Sequence, residues 1–402
     1  MSDIDYTTLA GHLAGVTDPR DGHGRRYEWL YLLLLIAAAM MTGERTLVGI
    51  SQWVNDNKEE LIIALRPRCR RTPSMATLRR ALCRVGINQL EAVLGAYQHS
   101  LQAETGGAGT IVTTEGEVLR GLALDGKTVR CASAYGRVVH LVSLVCHESG
   151  LVLDQAQVAV KLDERRIAEQ LLARQIAQGR LGDAVVTMDA LHTRTKQARQ
   201  IAQGGGHYLL VVKRNQRALY DEIAATFDAL PLCNQQEREL WRYAQTSSQG
   251  RGHGRQEHYT LESTTALNGY VAFPGVAQVL RRTRITRHMA KTGKLAGTWV
   301  TTHSCEFLIT SLSQEQVTLE QIARLRRWHW TIENVTHYPR DVSFGEDHCR
   351  VRSGHAPQAL AAFRNAVAAV LRINGWPYLP NGFRYFRNSL QMNLQIIGAI
   401  AT

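Results

Sequence analysis

Two short apolar runs that each close on an aspartate limit most strongly what this chain can fold into. The first is LALDGKTVR, which reaches Asp125, and the second is DAVVTMDA, which reaches Asp189. Continuous aliphatic runs bounded by turn residues read as strands covered on both faces. An unpaired charge is costly inside such a strand. At the open end of a rigid sheet, however, a carboxylate is held in place while its head stays accessible. Asp125-Gly126 taken alone reads as a turn. Asp189 ends the more apolar strand and carries the stronger functional reading.

Between and after these runs the pattern continues. VVHLVSLVCHE (138–148) and LVLDQAQVAV (151–160) read as two strands joined as a hairpin across Ser149-Gly150. DERRIAEQLLARQIAQG (163–179) is an amphipathic helix. TRTKQARQIAQGGG is a helix stopped by glycines, and HYLLVVKRNQ is a further strand. The order β-β-β-α-β-α-β, with acids ending the first and fourth strands, predicts an α/β ribonuclease-H-like fold with a mixed sheet. No GxGxxG or phosphate-loop spacing occurs, so ATP chemistry is not indicated.

The flanking parts predict a domain plan. Residues 1–110 read as a helical N-terminal domain. Its most apolar run, Trp29–Met41, is too short to cross a bilayer and reads as a buried helix. Ser74 is placed to cap SMATLRRALCRVG, a helix with Arg79, Arg80 and Arg84 on one side. Leu61–Val85 fits a helix–turn–helix that would direct Arg79 and Arg80 to DNA, and a solvated basic helix in a bundle fits equally. ETGGAGT (104–110) is a linker signal. Residues 111–213 and 311–373 form the core, 214–310 a β-rich insertion with the basic loops GRGHGR and RHMAKTGK, and 374–402 a tail.

Charge narrows the partners. Lys and Arg number 47 against 35 Asp and Glu, a net charge of +12, which suggests a polyanionic partner such as nucleic acid. The seven cysteines form no CxxC pair, which argues against a zinc knuckle or a disulfide framework and for a reducing cytosol. The first residues, MSDIDYTTLAGHL, carry no export signal.

A third acid comes from RRWHWTIENVTHYPRDVSFGED (326–347). It opens as a helix with Trp328, Ile332 and Val335 available for burial, and with Arg326, Trp330, Glu333, His337 and Arg340 along one stripe. An ion-paired surface helix is one reading. The other is that Glu333 joins Asp125 and Asp189 in gripping divalent metal, because phosphoryl transfer needs two hard cations held by carboxylates. Lys127 and Arg130 after the first acid, His192 after the second, and Lys213, Asn215 and Gln216 after the fifth strand are candidate phosphate contacts. Arg326, His329, Trp330 and Arg340 flank Glu333 as candidate contacts to backbone or to a flipped base. Asp341, Glu346 and Asp347 are reserve acids.

Together LALDGKTVR, VTMDALHTRTKQARQIAQGGGHYLLVVKRNQ, GHGRQE and HWTIENVTHYPRDVSFGEDHCRVRSGHAPQALAAFRNAV resemble the ISAs1-type insertion-sequence transposases, or H-repeat-associated proteins. DPRDGHGRRYEWLYLLLLIAAAMMTGERTLVGISQWV resembles their N-terminal associated domain. The resemblance implies a DDE transposase whose acids fall on Asp125, Asp189 and Glu333, with two Mg²⁺ (or Mn²⁺) per active site. It further implies double-stranded DNA as partner, both transposon ends and target, a homodimer, and a bacterial cytoplasmic protein that is nucleoid-associated when bound to DNA. A metal-dependent nuclease without strand transfer, or a domesticated DNA-binding protein, are the alternatives. The wider group carries Tyr, Arg, Glu and Lys at fixed steps on the Glu helix, where this chain has Arg326, His329, Glu333 and Arg340. Pro339 should end or kink that helix.

Overall fold

The computed structural model describes residues 5–23, 25–104, 111–130, 139–158, 164–252, 254–290, 292 and 296–401. Apart from Glu104, the linker expected at 104–110 lies outside the described residues, as do parts of both basic loops. In chain order the helices and strands begin with α1 (Leu9–Ala14), α2 (Trp29–Met41), α3 (Leu47–Asp56), α4 (Lys58–Leu65), α5 (Met75–Arg84) and α6 (Ile87–Glu104). Next come β1 (Ile111–Val112), β2 (Val118–Val129), β3 (Val139–Cys146), β4 (Val152–Val158), α7 (Glu164–Ala177), β5 (Ala184–Met188), α8 (Thr195–Gln203) and β6 (His207–Val212). After these follow α9 (Arg217–Ala229), α10 (Gln235–Leu240), β7 (Ala244–Gly252), β8 (Arg255–Thr264), β9 (Gln278–Met289), β10 (Trp299–Thr310) and α11 (Leu319–Trp328). The chain closes with α12 (Ala356–Ile373), α13 (Leu379–Arg387) and α14 (Leu390–Ile396).

Two compact units divide these elements. One holds residues 1–108, 125–167 and 331–402, and the other 109–124 and 168–330. In the first unit α2 is apolar all round and buried along nearly its whole length, as a helix without a polar face must be. It packs against α1, α3 and α12, and Asn393 of α14 donates a 2.9 Å hydrogen bond to the Ala38 carbonyl. Helix α6 lies on β4, where Gly95 is needed: a Cβ there would stand 2.7 Å from the Leu153 carbonyl oxygen. The β3–β4 hairpin turns through Ser149-Gly150 as expected, with Gly150 at a φ of 66°. Helices α4 and α5 are joined by residues 66–74, which include Pro67 and Pro73, rather than by the short turn of a helix–turn–helix. Ser74 takes the N-cap position, but its hydroxyl lies 3.2 Å from that of Thr77 and caps no backbone N–H.

The second unit is organised around a mixed sheet in the order β2-β5-β6-β10-β9-β8-β7, with β1 antiparallel to β2. Strands β2, β5 and β6 run parallel, while β10, β9, β8 and β7 continue as an antiparallel meander. Its core gathers Leu119, Val185, Leu209, Leu280, Leu308 and Ile322. Thr318 and Gln321 form a capping box that starts α11 against this core. The mixed sheet, the N-terminal helices and the β-rich stretch make the fold α/β and ribonuclease-H-like. No helix among the described residues is long and apolar enough to cross a membrane.

Two expectations need correction. Asp125-Gly126 is not a turn, because β2 runs straight through it to Val129. Gly126 serves close packing instead: a Cβ there would meet the Glu164 carboxylate at 2.1 Å and the His140 ring at 2.5 Å. The helix expected to carry Glu333 ends at Trp328, and the chain then enters two π-helical segments, Ile332–His337 and Pro339–Ser343. Ile332 is buried as expected, whereas Trp328 and Val335 are only half-buried.

Candidate metal centre

In the first unit, β2 and the first π segment bring three side chains together. Asp125, Glu333 and His337 each offer a ligand atom, and these atoms lie within 4.8 Å of one another. Asp125 is half-buried, Glu333 exposed and His337 buried. The π register is visible in the backbone. Phe344 donates its N–H to the Pro339 carbonyl at 2.9 Å, five residues back, and Tyr338 donates to Glu333. Pro339 has no N–H to give the Val335 carbonyl, its partner in an α-helix. The Arg372 guanidinium of α12 donates to that oxygen instead. Burial pushes the Arg372 pKa down to about 10. Arg372→Met therefore removes the donor that Pro339 cannot supply. It should lower stability by about 1–3 kcal/mol, read from the urea midpoint; an unchanged midpoint would contradict this role.

The charges around this cluster are mostly paired. Lys127 Nζ is 2.7 Å from Asp341 Oδ2, and Arg130, itself exposed, is 3.8 Å from Asp347. Glu346 is fully buried between Arg340, at 2.6 Å, and Arg364, at 2.9 Å. Burial pushes its pKa up, but the two guanidiniums outweigh this and hold it at about 2. Arg340 is thus corrected as a DNA contact: it is 2% exposed and its guanidinium is held by Glu346. Lys127, 9% exposed and tied to Asp341, is likewise not presented to a ligand. Beneath Gly126, His140 Nε2 lies 3.2 Å from Glu164, and its Nδ1 lies 2.8 Å from the Thr128 hydroxyl.

In the second unit, Asp189 follows β5, whose pairing with β2 ends at Leu124↔Met188. Its side chain is 44% exposed, with Lys213 Nζ at 3.1 Å. Burial pushes the pKa up, but the Ala190 N–H and the Lys213 ammonium hold it below the usual carboxylate range. Asn215 donates to the Ala190 carbonyl at 2.8 Å and so braces the turn after Asp189. His192 is buried, with its backbone N–H donating to the Asp189 carbonyl at 2.9 Å.

The residues before Glu333 are also corrected. Arg326 is buried and bonded twice to Glu306, at 3.0 and 2.8 Å, and Glu306 also takes Arg282 at 2.6 Å. His329 is buried 2.8 Å from the Thr187 hydroxyl, and burial pushes its pKa down to about 4. Neither is placed to meet DNA. Trp330 and Lys213 are exposed, as are Arg79, which donates to Ser353 at 2.9 Å, and Arg80. Arg80 lines a basic cleft with Arg20, His23, Arg26 and Arg84. His337 was on the sequence stripe without a role; the signal beside it was Pro339, which displaces the helical register.

The transposase DDE domain family model matches residues 116–371, and the DDE_Tnp_1-associated model matches residues 10–98. The chain is 26% identical over 257 residues to the putative protein YbfL of Escherichia coli K12. It is 25% identical over 257 residues to the H repeat-associated putative transposase YhhI of the same strain. Each match covers 62% of this chain and 63% of the relative, so the chain spans somewhat under two thirds of their length. The piggyBac transposase synaptic complex with hairpin DNA is similar at a TM-score of 0.41 and 10% identity, covering 98% of this chain and 77% of that one.

Proposed function

This chain belongs to the transposases with a DDE domain, and we propose that it cuts and joins DNA at the ends of its own element. The observation that carries the reading is the meeting of Asp125 and Glu333, with His337, from distant parts of the sequence. Two carboxylates and an imidazole suit a divalent cation, and Asp189, kept ionised beside Lys213, is the third acid. Bound Mg²⁺ or Mn²⁺, two per site, would supply Lewis acidity to the attacking and leaving oxygens. Asp125, Asp189 and Glu333 are the holding groups. Water attacks a phosphodiester in line to free a 3′-OH, which then attacks target DNA.

The net charge of +12 favours a polyanionic substrate. Arg79, Arg80 and the cleft of α5 are the proposed contacts to end DNA, and the exposed Arg130 and Trp330 are further candidates. A homodimer that pairs two ends is expected by analogy with transposases at large.

The test combines the purified chain with DNA carrying its gene's flanking repeats and a target plasmid. Metal-dependent nicking at the repeat ends and joined product are expected, both lost with chelator. Nicking without joining would make the chain a nuclease, and binding with no nicking in any divalent metal would make it a DNA-binding derivative.

A further inference from the structure

Neither the acids nor the family account for His337. Its ring is 4% exposed, and its Nε2 is buried without a hydrogen-bond partner. Its Nδ1 lies 3.3 Å from Glu333 Oε2, and a ring nitrogen falls in the same 4.8 Å cluster as the carboxylates of Asp125 and Glu333. Donors about 2.1 Å from an octahedral cation stand roughly 3 Å apart when adjacent and roughly 4 Å when opposite. The 4.8 Å span of the cluster is slightly wider than the larger of these, so a cation would draw the three donors inward by a small side-chain rotation. The π register puts Glu333 and His337 on one short segment, and such segments gather at functional sites. A buried imidazole with an unused nitrogen is unfavourable unless that nitrogen has a partner.

We propose that His337 is a metal ligand, completing an Asp125–Glu333–His337 set of two oxygens and one nitrogen. The proposal rests on the metal-site reading of Asp125 and Glu333. A carboxylate-only site suits Mg²⁺, whereas an imidazole favours first-row transition ions. His337 therefore shifts the preference of the site from Mg²⁺ toward Mn²⁺. A hydrogen bond from the ring that only orients Glu333 would leave the metal with oxygen donors alone and would not alter this preference.

The full chain, freed of any affinity tag, is loaded with Mn²⁺ and studied by electron spin echo envelope modulation. A ¹⁴N modulation from a directly bound imidazole is expected, absent from His337→Gln. That variant should still bind Mn²⁺, about tenfold more weakly, with Mg²⁺ affinity changed much less. His337→Asn serves as a second variant if the first does not fold. Absence of the modulation in the unaltered chain overturns the proposal, as does its persistence in the variants. Asp125→Ala and Glu333→Gln separate the two levels. If they abolish Mn²⁺ binding while no ¹⁴N signal exists, only the role of His337 falls. If neither changes Mn²⁺ binding, the metal-site reading falls with it.

Discussion

Asp125→Ala and Glu333→Ala should each reduce DNA strand cleavage by about 10³-fold or more, the equivalent of roughly 4 kcal/mol of transition-state stabilisation. On the proposed metal site each variant would lose a carboxylate that holds the cation, so the barrier would rise although DNA remains bound. Asp189→Ala is expected to do the same. Glu333 is exposed, so its truncation should change stability by no more than about 0.5 kcal/mol. Groups that act as one unit are not additive, and the double variant Asp125→Ala/Glu333→Ala should be no slower than either single one. Single-turnover cleavage read beside thermal unfolding separates chemistry from folding. Cleavage within tenfold of the unaltered chain would remove that residue from the site.

Glu346→Gln carries the largest expected effect on stability, about 3–5 kcal/mol, because it leaves two guanidiniums buried without their counter-charge. Arg340 and Arg364 both end on this carboxylate, at 2.6 and 2.9 Å. The effect has a definite pH dependence. The folded pKa of about 2 lies below the ordinary value of 4.5, so the unfolded chain takes up the proton first as pH falls. The stabilisation is therefore complete above pH 4.5 and is lost progressively down to about pH 2. Urea unfolding of both proteins across this range should show their difference shrinking toward low pH. A constant difference, or none at neutral pH, would show that Glu346 is not the anchor of the two arginines.

Much of the scaffold is legible in the sequence. Period-two and continuous apolar runs located β3, β5 and β6, and an acid after a buried strand located Asp189. Local pattern carries such information because burial on a sheet imposes a fixed alternation or continuity. What could not be read depends on partners distant in sequence. Arg326, Arg340 and Lys127 look like free cations in a one-dimensional reading, and each is held by an acid whose proximity only the fold creates: Glu306, Glu346 and Asp341. The continuation of β2 through Gly126 was hidden for the same reason, since it depends on Glu164 and His140 filling the place of a side chain. The disturbance of the helix around Pro339 was legible from the proline, but neither its end at Trp328 nor the register the chain slips into could be read from it.

The bond from Arg372 to the Val335 carbonyl makes the geometry around Glu333 non-local. Hydrogen bonds between neighbouring turns let a helix assemble from its own sequence, but here one rung is supplied by a side chain from α12. A peptide spanning 326–347 lacks that rung, so this part of the segment is completed only by packing against α12. The proposed liganding segment is accordingly not a self-contained helix, and its geometry is tied to the packing of α12.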